Sequence, residues 1–172
     1  ATLANTLVNK YEVEILSVYR LYKDPIYDID SKTIREKKVS DIKNRLNIIN
    51  ETENSVFVSI HQNHFSASQY KGTQVFYSKN NPDSKKLAES IRQSVISYLQ
   101  KDNTREIKKS GSEIYLLNNA QAPSVMVECG FLSNYTDTQN LKDKNYQQKI
   151  AFSIAIGISY YLNKTEDFQN GT

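Results

Sequence analysis

Two short apolar runs, each ending in a side chain that can do chemistry, constrain this chain more than anything else in it. Ser55-Val56-Phe57-Val58-Ser59-Ile60 leads into His61, and Pro123-Ser124-Val125-Met126-Val127 leads into Glu128. Runs this short and this apolar read as strands buried on both faces, the kind found at the centre of an α/β sheet. Ligands of such sheets sit beyond the carboxyl ends of the strands. An imidazole and a carboxylate are therefore expected to meet at one end of the sheet.

The segments between these runs carry helical spacing. Val39, Ile42, Leu46 and Ile49 recur at steps of three and four, predicting an amphipathic helix over 32–51. Asn81-Pro82 reads as a helix start, with Leu87, Ile91, Val95 and Leu99 on the buried face to about Gln100. A last helix is predicted over 143–162, with Tyr146, Ile150, Ile154, Ile158 and Tyr161 on one side. Leu3, Leu7 and Val8 suggest the end of a helix over 1–10, and 13–18 a short strand. Further strands are predicted at 72–77 and 113–117, and a loop over 130–140. Alternation of this kind predicts an α/β fold, a mostly parallel central sheet with helices on both faces in three layers.

Composition excludes more than it proposes. At 172 residues the chain suits one domain. A net charge of +3, with both signs interspersed, gives no case for nucleic acid. The longest apolar stretch, Ile150–Leu162, has 13 residues, short of the roughly 20 that a membrane span requires. The single cysteine, Cys129, rules out an internal disulfide and reads as a small buried hydrophobe. With only His61 and His64 as imidazoles, any metal site must borrow carboxylates.

Each candidate has an ordinary reading beside the functional one. A lone histidine such as His61 is more often a satisfied core or rim residue than a ligand. Glu128, following a buried run, must be paired, hydrated or shifted in pKa; on position alone a structural ion pair and a functional carboxylate both stand. Gly130 allows a tight turn that frees the carboxylate to face a cleft. His64 reads as a rim residue. The run Arg105-Glu106-Ile107-Lys108-Lys109 reads as a solvated loop, or as the lining of a groove for a polyanionic glycan.

Three segments, in order and spacing, resemble the zinc-dependent N-acetylmuramoyl-L-alanine amidase family. They are Val58-Ser59-Ile60-His61-Gln62-Asn63, Gly72-Thr73-Gln74-Val75-Phe76-Tyr77, and the stretch from Ala122 through Glu128-Cys129-Gly130-Phe131-Leu132-Ser133-Asn134. The Gly72–Tyr77 and Tyr115-Leu116-Leu117 stretches look most like the germination-specific branch that acts on spore cortex. The resemblance implies an amidase catalytic domain over 1–163 with a polar tail over 164–172. It also implies Zn2+ as cofactor, peptidoglycan as substrate, extracytoplasmic action in the cell envelope or spore cortex, and room for an activating protein partner.

By the same resemblance His61 is a zinc ligand and Glu128 the catalytic acid/base, with Asn63, Ser133 and Asn134 lining the substrate. The family's other ligands are a histidine on its first strand and a glutamate opening its first helix. Neither has a counterpart here, because the chain is expected to begin partway along that helix with the first strand missing. The family's Thr-Arg pair is altered too, with Tyr19-Arg20 near its place. Catalytic zinc takes about three protein ligands, so this chain is expected to hold zinc poorly. Two other readings remain: an inactive peptidoglycan-binding or regulatory module on the same fold, and a zinc peptidase or other deacylase on a similar scaffold.

Overall fold

The computed structural model describes residues 26–28 and 30–169, with side chains described as far as Asn163. The helix expected over 1–10, the strand over 13–18 and the Tyr19-Arg20 pair lie outside the described residues. Helix α1 (Ile34–Glu51) begins at a capping box: Thr33 Oγ1 accepts from the Glu36 N–H, and the Glu36 carboxylate accepts from the Thr33 and Lys32 N–H groups. Those backbone bonds hold the Glu36 carboxyl below its usual value. Of the expected stripe, Ile49 is buried, Ile42 and Leu46 are half-buried, and Val39 is exposed.

Strands β1 (Phe57–Asn63) and β2 (Gln74–Tyr77) follow, then α2 (Asp83–Tyr98). Asn81 Oδ1 accepts from the Asp83 N–H at 2.9 Å and Pro82 adopts helical angles, so the predicted Asn-Pro start is in place. Beyond it lie β3 (Lys108–Lys109), α3 (Tyr115–Asn119), β4 (Ser124–Phe131), α4 (Tyr135–Lys142) and α5 (Lys144–Gln169). The sheet runs β1-β4-β2-β3. β4 pairs parallel to β1 and antiparallel to β2, and β2 pairs parallel to β3. Two of the three pairings are thus parallel, within the expected three-layer α/β architecture.

Alternation along β4 sorts its side chains. Val125, Val127 and Cys129 join Val75 in the core against Leu87, Ile91 and Val95 of α2 and Ile150, Ile154 and Ile158 of α5. Ser124, Met126 and Glu128 therefore point to the opposite face. Helices α2 and α5 pack closely at Gly157, where a Cβ would stand 2.5 Å from the Ile91 Cα. The helical spacing at Leu87, Ile91 and Ile154 reaches full burial as expected.

Three predicted boundaries are corrected. Residues 115–119 form a helix, not the strand expected over 113–117. Leu117 and Ala120 are both fully buried, a step of three that suits a helical turn, and four consecutive apolar residues cannot distinguish the two. The charged run read as a loop contributes β3, whose exposed lysines suit the edge of a sheet. The expected loop over 130–140 is the end of β4 followed by α4.

Candidate active site

Strand register brings the two sequence-predicted groups together. His61 on β1 is the direct partner of Glu128 on β4, and Glu128 is in turn the partner of Gln74 on β2. The three side chains form one row across adjacent strands, with neighbours about 4.8 Å apart. Both strands run further than expected, so His61 and Glu128 lie within strands rather than at their ends. The register shifts just past them, with Asn63 opposite Phe131, so that β4 carries one extra residue. Bulges of this kind bend a strand and re-aim its side chains beside active sites.

Glu128 is buried, and its Oε2 has no hydrogen-bond partner. Burial raises its pKa above the ordinary carboxylate value, while the charge of His61 pulls it back. No structural ion pair explains this carboxylate among the described residues. His61 is exposed, open to solvent beside a carboxylate that is not. Cys129 turns into the core, where burial and then the Glu128 charge push its thiol up to about 12, so it is an inert packing residue.

The bulge is held by a residue that sequence reasoning did not single out. Asp137 is buried, and its Oδ2 accepts from the Gly72 N–H at 2.9 Å and the Phe131 N–H at 2.8 Å. A Cβ at Gly130 would come within 3.1 Å of that carboxylate, which is why glycine stands there. Asp137 itself sits in the first turn of α4, where the helix dipole favours a negative charge. Its signal in the sequence was the Asn134-x-x-Asp137 spacing of a capped helix. Asp137→Ala should cost roughly 2 kcal/mol in urea unfolding, because two backbone donors lose a charged acceptor. Asp137→Asn should recover part of that loss.

The expected substrate-lining residues lie close to this bulge. Asn63 ends β1, and its carbonyl accepts from the Leu132 N–H at 2.7 Å. Ser133 Oγ accepts from the Phe65 N–H at 3.2 Å. Asn134 caps α4 through Oδ1 and donates through Nδ2 to the Ser68 carbonyl. Ser133 and Asn134 thus tie the loop after β1 to the end of β4. His64 is exposed beyond the end of β1.

The donor set for zinc is incomplete. No three His, Cys, Asp or Glu side chains converge among the described residues. His61 offers one imidazole and Glu128 one carboxylate, fewer than the roughly three protein ligands of a catalytic zinc. The described residues therefore do not fit a complete zinc centre.

Residues 8–160 match the family described as N-acetylmuramoyl-L-alanine amidase. The germination-specific N-acetylmuramoyl-L-alanine amidase of Bacillus subtilis is 32% identical over 137 residues, which cover 80% of this chain and 57% of the relative. LytC, another amidase of that organism, is 31% identical over 70% of this chain and 24% of its own length. This chain accordingly spans just over half of the first relative and a quarter of the second. Among solved structures, the CwlD amidase of Clostridioides difficile, determined in complex with the GerS lipoprotein, superposes with a TM-score of 0.81 at 38% identity. That match covers 94% of this chain and 83% of the other.

Proposed function

Because this chain belongs to the N-acetylmuramoyl-L-alanine amidase family, we propose that it acts on peptidoglycan. The bond cut is the amide between the lactyl group of N-acetylmuramic acid and the L-alanine of the stem peptide. The observation that carries this reading is the buried Glu128 carboxylate, with one oxygen unpartnered, one strand away from His61. Glu128 is the general base and then the general acid. It takes a proton from the attacking water as the water oxygen bonds to the carbonyl carbon. It returns that proton to the alanine nitrogen as the C–N bond breaks, leaving a lactyl carboxylic acid and a free amine. A carboxylate whose pKa is held above the ordinary value is a stronger base and takes the water proton more readily than an unshifted one.

His61 is proposed as one ligand of the family's zinc; further ligands would come from outside the described residues. Calorimetric titration of this 172-residue chain is expected to show weak zinc binding or none. Tight one-to-one binding that is lost in both His61→Ala and His64→Ala would instead reveal a substitute site. Asn63, Ser133 and Asn134 are proposed to shape the rim against the glycan strand. Action outside the cytoplasm, in the cell wall or spore cortex, is part of this proposal and is supported by the likeness to a germination-specific amidase; the complex formed by the Clostridioides difficile amidase supports a protein partner here as well. No helix among the described residues is long and apolar enough to cross a membrane.

The test is chemical. Digestion of purified peptidoglycan by the zinc-supplied, full-length protein should create new amino termini that are alanine, with no new reducing sugar ends. New reducing ends would identify a glycosidase, and new termini other than alanine an endopeptidase. The incomplete ligand set among the described residues favours a second reading, an inert peptidoglycan-binding module. That module would bind the polymer and release nothing.

A further inference from the structure

The row that begins at His61 does not stop at Gln74. Gln74 is 2% exposed, and its Oε1 faces Arg105 Nη1 at 3.4 Å while its Nε2 donates to the Glu106 carbonyl. The Arg105 guanidinium carbon lies over two rings, 4.5 Å from the centre of Phe131 and 5.5 Å from that of Tyr70. Its Nε donates to the Lys71 carbonyl at 2.7 Å. Among the described residues Arg105 has no carboxylate partner and its Nη2 no hydrogen bond. The adjacent carboxylate, Glu106, is instead paired with Arg92 at 2.8 Å.

A half-buried guanidinium held in position by two rings and a carbonyl, with Nη2 unspent among the described residues, is suited to take an anion. Aromatic faces hold a cation without neutralising its charge, and the fork geometry of arginine suits a carboxylate. Gln74 places this cation roughly 10 Å from Glu128, one strand spacing plus one side chain. Two or three residues of an extended peptide span that distance.

We propose that Arg105 is a specificity-determining residue that binds a free carboxylate of the stem peptide, a short way downstream of the bond Glu128 attacks. This rests on the amidase reading for the identity of the peptide, but not for the presence of the anion site. Arg105 touches substrate in this role and takes no part in the proton transfer.

The experiment measures equilibrium binding of a soluble muramoyl dipeptide in two forms, one with its second-residue α-carboxylate free and one with that group amidated. The protein is the full-length chain, as wild type, Arg105→Gln and Arg105→Lys. Wild type should bind the free acid about tenfold more tightly than the amide, as for a charge-assisted pair at a partly exposed site. Arg105→Gln should bind both forms equally, and Arg105→Lys should keep part of the preference. Equal affinity of wild type for the two forms, or binding of neither, overturns the proposal. So does a preference that survives in Arg105→Gln. If Arg105→Gln does not fold, the wild-type and Arg105→Lys comparisons decide. Failure to release alanine-ended peptides from peptidoglycan would sink the amidase reading while leaving the acid-over-amide preference readable.

Discussion

Replacing Glu128 with glutamine should lower the rate of stem-peptide release by about a hundred- to ten-thousand-fold, the usual contribution of a general acid–base group. Glutamine keeps the size and the hydrogen-bonding reach of the side chain but cannot accept the water proton. The same substitution should leave the fold intact and make it more stable, which separates loss of chemistry from loss of structure. Burial holds the Glu128 carboxyl above its ordinary value of 4.5 in the folded protein. The stability associated with its neutral form is therefore present below about that pH and is lost as pH rises through the raised folded value. Glutamine is neutral throughout. The difference in Tm, glutamine variant minus wild type, should be near zero in acid and positive at neutral pH. A variant with near-normal turnover would remove Glu128 from the reaction. A Tm difference that is flat with pH would contradict the burial of its charge.

Gly157→Ala should be the most destabilising single-methyl change in the core. The added Cβ would lie 2.5 Å from the Ile91 Cα, 2.9 Å from the Ser90 carbonyl oxygen and 3.0 Å from the Ile91 nitrogen. All three are backbone atoms, so no side chain can rotate away and α2 must move off α5. That contact underlies the packing of Leu87, Ile91 and Val95 against Ile150, Ile154 and Ile158. Overpacking of this kind costs roughly 3 kcal/mol, a fall of about 10 °C in Tm for a chain of this size. Ser90 Oγ also donates to the Gly157 carbonyl at 2.7 Å, so Ser90→Ala is the control. It removes the hydrogen bond without the clash and should cost only about 1 kcal/mol. Equal losses in the two variants would show that the hydrogen bond, not the close approach, sets the geometry.

The parts of this molecule that were legible from residues alone are those where burial dictates residue type. Ser124 to Val127 is the buried central strand expected; Phe57 to Ile60 is a strand too, but among the described residues β1 is the edge of the sheet and Ile60 is exposed, so its burial on both faces is not met. The faces of α2 and α5 were readable because Leu87, Ile91, Ile154 and Ile158 repeat at the helical period. What escaped was set by tertiary contact. A five-residue helix around Leu117 and a two-residue strand at Lys108 are too short to show any period. Asp137 fell within the segment read as a loop, and its work on the Gly72 and Phe131 amides joins positions 65 and 6 residues apart. Gln74 read as one polar residue in a strand. Only the antiparallel register places it beside Glu128.

The amidase reading stands on His61 and Glu128 working as one centre. The most direct measurement of that is a double-mutant cycle on stem-peptide release from peptidoglycan, with His61→Ala, Glu128→Gln and the double variant in the zinc-supplied, full-length protein. Groups that act as a unit are strongly non-additive. Each single change should cost at least about a hundredfold, and the double variant should be no slower than the slower single. Losses that multiply, so that the double variant falls by the product of the two, would show independent roles and contradict a shared centre.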